Sequence, residues 1–455
     1  MSSSPQLPEE FLTRITDQLG VQVNDFVAAL NMPSTTSILD NPLKSGDNAL
    51  PIDNGVPWNE HGYFLKHRPA FIFDPAFHAG AYYVMESSSM LLAEALKSIK
   101  IQSETPVILD LCAAPGGKSM VALNYLGGDG ILISNEVNRK RFGVLNENIA
   151  KWGHHSTITS NLDPSRILLD GMCDCVIVDA PCSGEGLFRK TPKAIDEWSV
   201  ANADHCTLRQ RRILGEAIRL VKPNGYLIYS TCTYNPEENL KNTAWVASQI
   251  DGKSVELENT FDSSITIQDG ITGYQCWPHK MRGEGFFLSV LKKGNSEPGQ
   301  AASNMNGKPW LTAMKQRDIE PWNAFINLTD SSLFTDKRNG VHVLPTATAA
   351  TMLEISGRLY GCKAGTYAGT TKGADIVPSH ELALSSCLAP DIPGIELDLE
   401  RALKYLRRDT LQPLSLNKGW YLATFKGHNL GWIKQAGKHT KNYFPIDWRI
   451  RKQQS

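Results

Sequence analysis

The most informative stretch of this 455-residue chain is Val107-Ile-Leu-Asp-Leu-Cys-Ala-Ala-Pro-Gly-Gly-Lys-Ser119. It begins as an apolar run, continues as a loop of small residues and leads into a helix predicted over residues 118–126. Near-continuous apolar runs are typical of strands that are buried on both faces of a parallel sheet. Small residues let backbone amides approach a ligand, and a helix start adds favourable dipoles. The stretch therefore predicts a strand, a ligand-binding loop and a helix.

The same alternation continues outward over residues 105–293. Short apolar runs predict four more strands, and longer segments predict two more helices: strands at 130–134, 156–160, 175–178 and 226–230, helices at 139–152 and 203–221. Alternating strands and helices indicate an α/β fold with a doubly wound, mostly parallel, Rossmann-like sheet. Residues 285–293 predict a last strand. Asn235-Pro-Glu-Glu238 predicts a helix start, with Asn as the cap and Pro at the first helical position.

Outside this region the patterns predict smaller domains. Residues 8–31 have helical spacing, residues 308–385 carry no motif with a chemical interpretation, and short strands with Gly turns near the C-terminus predict a β-rich module. A polar break covers residues 294–307. We divide the chain into four parts: an N-terminal α+β extension (1–85), the α/β core (86–293), a linker and intermediate domain (294–393) and the C-terminal module (394–455).

The charge is distributed unevenly. The chain has 46 Lys and Arg against 47 Asp and Glu, and this net charge of −1 argues against a nucleic-acid partner. However, residues 401–455 carry 12 basic residues against 2 acidic ones, whereas residues 1–100 carry 6 against 11. A basic tail on an acidic body predicts a polyanionic partner at the C-terminus.

Several classes of protein are excluded by simpler features. No apolar run approaches 18 residues, and the N-terminus lacks the regions of a signal peptide, so we expect no membrane contact. Nine scattered cysteines indicate reduced thiols in a cytoplasm. We expect no metal site, because the His residues lack ligand spacing and Cys173-x-Cys175 lies within a strand.

Two further motifs follow predicted strands. Asp179-Ala-Pro-Cys-Ser-Gly-Glu-Gly186 comes after the fourth strand, and Ser230-Thr-Cys-Thr-Tyr-Asn235 comes after the fifth. Ligands of open α/β sheets bind at the carboxyl ends of strands, so side chains from five positions are predicted to converge on one crevice: Cys112, Glu136, Asp179, Cys182 and Cys232. A single Cys is most often a small buried apolar residue. Two Cys in polar strand-exit loops, one close to an Asp, are better candidates for chemistry.

Nucleotide-binding alternatives fit the first loop poorly. Gly117-Lys118-Ser119 resembles the end of a phosphate-binding loop, but position 112 is Cys where that motif needs Gly. No G-x-G-x-x-G dinucleotide motif is present. Glu136, 19 residues after Gly117, occupies the position that binds ribose hydroxyls, or it is a helix-cap carboxylate. Asp163 could reach an adenine edge, or it is a turn residue.

Together the motifs resemble a known family. DLCAAPGGKS, DAPCSGEG and YSTCTYNPEEN are similar to the signatures of S-adenosylmethionine-dependent RNA cytosine-5 methyltransferases, the NOP/Sun family, and most of all to bacterial ribosomal RNA enzymes of the RsmF type. The resemblance extends to residues 59–90 and 277–293. Residues 430–452 resemble the C-terminal RNA-binding module of that family, which is related to PUA domains.

The resemblance implies methylation of carbon 5 of a cytosine in ribosomal RNA, in the small subunit, with S-adenosylmethionine as cofactor. Carbon 5 is a poor nucleophile until a thiolate adds at carbon 6 and makes the ring enamine-like. The residues alone leave open which thiol attacks, because a Pro-Cys pair also resembles the nucleophile of DNA cytosine methyltransferases and would indicate Cys182. The RNA family implies Cys232 as the nucleophile, with Cys182 assisting breakdown of the adduct.

Other roles follow from matching positions. Asp179 is implied to contact the cytosine beside the cofactor, and Lys190 to orient the base, unless it is only a solvated lysine. The implied cofactor contacts are Cys112, Ala113, Ala114, Pro115, Gly116, Gly117, Lys118, Glu136, Asp163 and Asp179.

The partner is expected to be ribosomal RNA or a ribosomal subunit, bound by a monomeric protein. Cations in the tail can neutralise phosphates, and the aromatic residues among them can stack on bases: Lys434, Lys438, Lys441, Arg449 and Arg451. The alternative is a solvated face over a small aromatic core. Leu39-Asp40 replaces an Arg-containing segment of the family, which puts N-terminal RNA contacts in doubt. Alternative functions are a transfer RNA cytosine-5 methyltransferase and a non-catalytic RNA-binding assembly factor.

Overall fold

A computed structural model describes residues 7–44, 46–47, 49–295, 308–373, 375–411 and 416–452. The first six residues and most of the predicted polar break, residues 296–307, lie outside these ranges. The N-terminal part contains two helices followed by a four-stranded antiparallel sheet in the order β2-β3-β1-β4. Its elements are α1 (Glu9–Leu19), α2 (Val23–Leu30), β1 (Ser37–Asp40), β2 (Ile52–Val56), β3 (Asn59–Leu65), α3 (Pro75–Ala79) and β4 (Tyr82–Val84).

The central part is the predicted doubly wound α/β domain. Its elements are α4 (Leu92–Ser98), β5 (Val107–Asp110), α5 (Gly117–Leu126), β6 (Ile131–Asn135), α6 (Arg139–Trp152), β7 (Thr157–Ser160), β8 (Cys173–Asp179), α7 (Lys193–Glu197), α8 (Val200–Leu220), β9 (Val221–Thr231), α9 (Leu240–Ile250), β10 (Lys253–Ser254), β11 (Ser264–Gln268), β12 (Ile271–Cys276) and β13 (Phe286–Lys292). The five strands β9-β8-β5-β6-β7 are parallel, and antiparallel strands extend the sheet at both edges.

Alternate side chains of the parallel strands enter two separate cores. Leu109 of β5 and Val176 of β8 pack on one face with α8, whereas Ile108 and Ile177 pack on the other face with α5. Because both faces are covered by helices, each strand needs apolar residues at consecutive positions. This burial explains the apolar runs and confirms the predicted fold class.

The remaining chain forms two smaller sheets. The elements of the intermediate part are β14 (Thr312–Ala313), α10 (Gln316–Ile319), β15 (Ser331–Thr335), β16 (Gly340–Pro345), α11 (Ala349–Arg358), β17 (Lys363–Ala364), β18 (Thr366–Lys372), β19 (Asp375–Pro378) and α12 (His380–Ala383). Those of the C-terminal part are β20 (Gly394–Glu396), α13 (Leu399–Arg407), β21 (Gly419–Phe425), β22 (His428–Ala436) and β23 (His439–Asn442). The intermediate residues thus form a five-stranded sheet in the order β14-β15-β16-β18-β19. β17 is not part of this sheet and pairs with β7 of the central sheet.

The parts share hydrophobic cores. Trp432 of β22 packs in one cluster with Trp322 and Val343 of the intermediate part. Its indole nitrogen donates a 2.7 Å hydrogen bond to the carbonyl oxygen of Ser379. Ala79 of the N-terminal part lies in the core of the C-terminal module. The C-terminal module is therefore integrated into the molecule. No helix within the described ranges is long and apolar enough to cross a membrane.

One predicted helix start is wrong. The helix after Cys232 begins at Leu240, and residues 236–239 form turns. The Asn235 side chain accepts a hydrogen bond from the amide of Glu237 at 3.1 Å, so it caps a turn instead of the helix. The Glu238 side chain is buried among the neighbouring loops. Local capping signals at this position were overridden by tertiary hydrogen bonds.

Candidate active site

A cavity of about 340 Å³ lies beyond the carboxyl ends of the parallel strands. Its wall includes the predicted cofactor contacts of the first loop except Gly116, together with Asp179, Lys190 and Cys232. The residues of the wall are Tyr83, Val84, Met85, Glu86, Ser89, Asp110, Cys112, Ala113, Ala114, Pro115, Gly117, Lys118, Asp179, Leu187, Lys190, Cys232, Glu284, Gly285 and Phe286. The loops that follow the parallel strands thus meet at one edge of the sheet, as expected from their positions after the strands.

The first loop is held by backbone hydrogen bonds to its neighbours. The amide of Leu111 donates to the carbonyl oxygen of Ile177 at 2.9 Å, and the amide of Ala113 donates to that of Asn135 at 2.8 Å. Gly116 precedes α5 with a φ of 121°, a conformation that favours glycine. These contacts carry the chain from the centre of the sheet to the start of α5.

Asp110 is a buried carboxyl group at the base of the cavity. Its Oδ2 accepts a 2.7 Å hydrogen bond from Ser119, whereas its Oδ1 has no partner within the described structure. Burial raises the pKa of Asp110 to about 7. This residue belongs to the first motif but was not among the predicted site residues. Its place at the end of the first strand was the signal that could have identified it.

Asp179 is fixed through both of its carboxylate oxygens. Lys118 lies 2.9 Å from Oδ2, and the Ser230 hydroxyl donates to Oδ1 at 2.9 Å. Burial alone would lower the pKa of Lys118, but the charge and hydrogen bond of Asp179, together with the nearby Asp110, outweigh burial and raise it. This ion pair joins the first loop to the end of β8.

The two cysteines of the strand-exit loops are in contact as free thiols. Their sulfur atoms lie 3.0 Å apart, and the amide of Cys232 donates to the sulfur of Cys182 at 3.3 Å. The hydrogen bond to Cys232, followed by burial, raises the pKa of Cys182 well above its ordinary value. Of the two, Cys232 lines the cavity and Cys182 lies behind it. A molecule in the cavity would therefore meet the sulfur of Cys232, and the sulfur of Cys182 is close enough to exchange a proton with it.

Three of the predicted cofactor contacts lie outside the cavity wall: Gly116, Glu136 and Asp163. Glu136 accepts a 2.8 Å hydrogen bond from the amide of Asn138 and lies 3.4 Å from Arg141. Asp163 caps a short 3-10 helix by accepting from the amide of Ser165 at 3.1 Å, and it pairs with Arg212 at 3.0 Å. The hydrogen bonds of Asp163 are those of a turn residue, the alternative that the sequence left open.

Sequence reasoning missed the cavity residues that come from the N-terminal part and from the segment before β13. Glu86 and Glu284 are linked by a 2.8 Å hydrogen bond from the amide of Glu284 to the Glu86 carboxylate. Arg189 pairs with Glu284 at 2.9 Å, and burial raises the pKa of Glu284 despite this pair. These segments carried no strand-end signal, and tertiary packing alone brings them to the cavity.

The basic residues of the tail lie on one hairpin and the segment after it. Lys434 is on β22 and packs over the ring of Trp420, with 4.8 Å from its nitrogen to the ring centre. The other four predicted RNA contacts are exposed: Lys438, Lys441, Arg449 and Arg451. Two aromatic residues that could have stacked on bases, Trp432 and Phe444, are buried. The alternative of an aromatic core is therefore correct for these two residues.

A doubly wound sheet with a small-residue loop after its first strand and ligand loops after the next strands defines the chain as a Rossmann-like methyltransferase. Three family models match separate parts of it. Residues 98–292 match "16S rRNA methyltransferase RsmB/F", residues 7–87 match the "N-terminal domain of 16S rRNA methyltransferase RsmF", and residues 393–450 match the "Methyltransferase RsmF PUA domain". Together these segments cover most of the chain, and all three are matched as domains of RsmB/F-type methyltransferases.

Curated relatives are similar over nearly the whole length. Proteins named ribosomal RNA small subunit methyltransferase F from Psychromonas ingrahamii and Vibrio vulnificus are 26% and 29% identical, and each comparison covers 98% of both chains. Two solved structures share the fold. A methyltransferase homolog from Pyrococcus horikoshii has a TM-score of 0.54 at 23% identity, covering 63% of this chain and 95% of its own. NSun6 from the same organism, solved with SFG, has a TM-score of 0.55 at 20% identity, covering 65% and 100%.

Proposed function

We propose that this enzyme methylates carbon 5 of a cytosine in small-subunit ribosomal RNA through a covalent adduct of Cys232 at carbon 6. The observation that carries the proposal is the thiol pair, because two sulfur atoms 3.0 Å apart at the end of adjacent strands serve no structural need of the sheet. The relatives named for small-subunit ribosomal RNA support the choice of substrate. Such a substrate implies a cytoplasmic enzyme.

The residues present suit S-adenosylmethionine. The small side chains of residues 112–117 leave backbone groups open to a ligand, and the unpartnered buried oxygen of Asp110 suits a cationic group. When bound, this cofactor supplies an electrophilic methyl group. Lys118 and Asp179, joined by their ion pair, would line the ligand side of the cavity.

The protein's part in the reaction begins with the Cys232 thiolate. Addition of its sulfur to carbon 6 of the pyrimidine makes carbon 5 nucleophilic enough to accept a methyl group. Removal of the proton from carbon 5 then allows the carbon–sulfur bond to break, and the electron pair returns to Cys232. Cys182 is placed to support this second stage, since its sulfur lies next to that of Cys232.

Domain roles follow in the same proposal. The core, residues 86–293, holds the cofactor and cytosine. The exposed cations of the C-terminal module, residues 394–455, bind RNA phosphates. The N-terminal part, residues 1–85, borders the cavity through Tyr83 and Met85 and would contact RNA near the target base.

Single substitutions of the two cysteines test the mechanism. Cys232→Ala should abolish transfer of a labelled methyl group to small-subunit ribosomal RNA, because no thiolate can add to carbon 6. Cys182→Ala should instead accumulate a protein–RNA adduct that survives denaturing electrophoresis. Cys362→Ser, at a buried thiol remote from the cavity, is the matched control and should keep wild-type activity. Methyl transfer by Cys232→Ala at the wild-type rate would overturn the mechanism. Methylation of transfer RNA but not of ribosomal RNA would overturn the proposed substrate.

A further inference from the structure

Glu238 is a fully buried carboxylate that ties together the loops of the two cysteines. Its Oε2 accepts hydrogen bonds from the amide of Ser183 at 2.9 Å and from the side chain of Gln210 at 2.8 Å. Its Oε1 accepts from the side chain of Asn235 at 3.2 Å. Ser183 directly follows Cys182, so Glu238 reaches from the Cys232 loop into the Cys182 loop.

A second carboxylate makes the reverse connection. Glu185 belongs to the Cys182 loop, and its Oε2 accepts a 3.1 Å hydrogen bond from the amide of Tyr234 in the Cys232 loop. The hydroxyl groups of Ser183 and Thr233 meet at 2.9 Å between the two carboxylates. Each loop therefore sends a carboxylate to the backbone of the other, and this reciprocal clamp fixes the distance between the two sulfur atoms.

The two carboxylates differ in how their charge is balanced. Glu185 is paired with Arg14 at 2.5 Å. Glu238 receives hydrogen bonds from neutral donors, and the described residues include no cation in an ion pair with it. A nearby negative charge disfavours ionisation of a thiol. Burial raises the pKa of Glu238, whereas its hydrogen bonds from Ser183 and Gln210 lower it. In its ionised form, Glu238 raises the pKa of the Cys182 thiol through its charge.

Other titratable groups lie around the cysteines, among them Lys190 in the cavity wall with Cys232 and Arg209 near Cys206. Lys118 and Asp179 neutralise one another on the cavity side. Tyr229 and Cys206 lie behind the pair, and burial raises the pKa of both. Among these groups, Glu238 is the carboxylate beside the cysteines that forms no ion pair with a cation.

We propose that Glu238 is a positioning residue for the cysteine pair: it clamps the Cys182 loop against the Cys232 loop and keeps their shared proton on Cys182. The thiolate is thereby left on Cys232, the sulfur that borders the cavity. This inference rests on the proposed function in that Cys232 is taken as the nucleophile. It extends that function by giving a motif residue outside the cavity wall a defined task.

Thiol alkylation without RNA or cofactor tests the inference independently of methylation. Iodoacetamide labelling of Cys182 and Cys232 would be followed by peptide mass spectrometry from about pH 6 to about pH 10, a range that spans ordinary thiol ionisation. In the wild type, Cys232 should react at lower pH than Cys182. Glu238→Gln keeps one acceptor oxygen, for the amide of Ser183, and removes the charge, and it should move the Cys182 curve down by about one pH unit. Glu237→Gln is the matched control. Glu237 is the residue before Glu238, and its carboxylate is exposed and pairs with Lys241.

Methyl transfer by the same variants gives the second measurement. Glu238→Gln should lower kcat about tenfold with an unchanged KM for RNA and a shifted pH profile, since one pH unit corresponds to a factor of ten. Glu237→Gln should match the wild type. Identical alkylation curves for the two variants would overturn the inference. If Glu238→Gln fails to fold, labelling of the wild type decides, and reaction of Cys182 at lower pH than Cys232 overturns it. An inactive wild type with the expected alkylation order would refute the proposed function alone.

Discussion

At Gly186 the backbone of the Cys182 loop lies so close to the backbone of neighbouring loops that a side chain has no room. Its amide donates a 2.8 Å hydrogen bond to the carbonyl oxygen of Cys232. A Cβ atom at this position would lie 2.3 Å from the carbonyl oxygen of Gly285 and 2.9 Å from that of Cys232. Both contacts are to backbone, so a side chain here must displace the loop that carries the proposed nucleophile.

Gly186→Ala should therefore reduce methyl transfer severely and lower the free energy of unfolding by about 1–3 kcal/mol, the usual cost of overpacking. Gly215→Ala is the matched control. Gly215 is exposed within α8, and an added Cβ has no neighbour within 4 Å. That substitution should raise the free energy of unfolding by about 0.5–1 kcal/mol. Denaturant titration and labelled-methyl transfer measure both effects, and a fully active Gly186→Ala enzyme would contradict this expectation.

At the scale of elements, the N-terminal helices form a cover over the cysteine loops. Phe11 of α1 and Phe26 of α2 share a buried aromatic cluster with Tyr234, which follows Cys232 by two residues. Arg14 of α1 adds the ion pair to Glu185. A segment more than 150 residues away in sequence from these loops thus fixes their backbone.

Arg14→Met should weaken this connection while preserving apolar packing. Loss of one partner leaves the Glu185 carboxylate buried with hydrogen bonds from Trp198 and Tyr234 but no cation, which should cost about 3 kcal/mol of unfolding free energy. We expect lower kcat with unchanged cofactor affinity, because α1 does not border the cofactor loop. Lys193→Met breaks an exposed pair with Glu197 and should have little effect on either quantity. Calorimetric cofactor titration and single-turnover kinetics distinguish the outcomes.

Prediction of elements was most accurate where the pattern was strongest. The helix over residues 139–152 has the predicted bounds. At its start the Asn138 side chain accepts hydrogen bonds from the amides of Lys140 and Arg141, and at its end Gly153 adopts the left-handed conformation. The helical spacing of residues 8–31 is divided in the structure, where a 3-10 segment at Gly20–Gln22 separates α1 from α2. Gly20 adopts a φ of 54°, which an α-helix cannot contain. Spacing alone did not reveal that break.

At the scale of the whole molecule, the shared cores change how the basic tail can be tested. Deleting residues 394–455 would expose Trp322 and Ala79, whose cores the C-terminal module completes. The basic residues must therefore be changed in place. Lys438 and Lys441 are exposed on and beside the β22–β23 hairpin and are available for such substitutions.

The double variant Lys438→Glu and Lys441→Glu should weaken RNA binding and reduce the slope of log affinity against log salt by about one per lost phosphate contact. The double variant Lys315→Glu and Lys337→Glu, at exposed positions of the intermediate part, makes the same change in net charge and should change the slope less. Filter binding at several salt concentrations gives the slopes. Equal slopes for all three proteins would show that this hairpin does not contact phosphates.

A buried His and Lys cluster joins all four parts of the chain. His380 is enclosed near Lys44, Lys151 and His78, and its ring packs against Phe444 at 5.0 Å between ring centres. Burial, followed by the charges of Lys151 and Lys44, lowers the pKa of His380 to about 3. Burial and Lys151 lower the pKa of His78 to about 4.

The unfolded chain therefore binds protons at these histidines below about pH 6.5, whereas the folded chain does not until about pH 4 or lower. Stability is fully present above the unfolded pKa. It should fall as the pH decreases through this window, and each histidine contributes a loss of about 1.4 kcal/mol for every pH unit. His380→Phe should flatten the acid side of the profile. Urea unfolding at neutral and acidic pH measures this dependence, and parallel profiles for variant and wild type would refute the assignment.

The α/β fold and the position of the strand-exit loops could be predicted from the residues alone, as could the location of Cys182 and Cys232 at the same edge of the sheet. Local periodicity and the parallel topology decide these features, because the carboxyl ends of adjacent strands must meet. The remaining walls of the cavity, the burial of Trp432 and the position of Glu238 between the loops became visible only in the folded molecule. These depend on contacts between segments that are distant in the chain, and such contacts override local signals such as a helix cap.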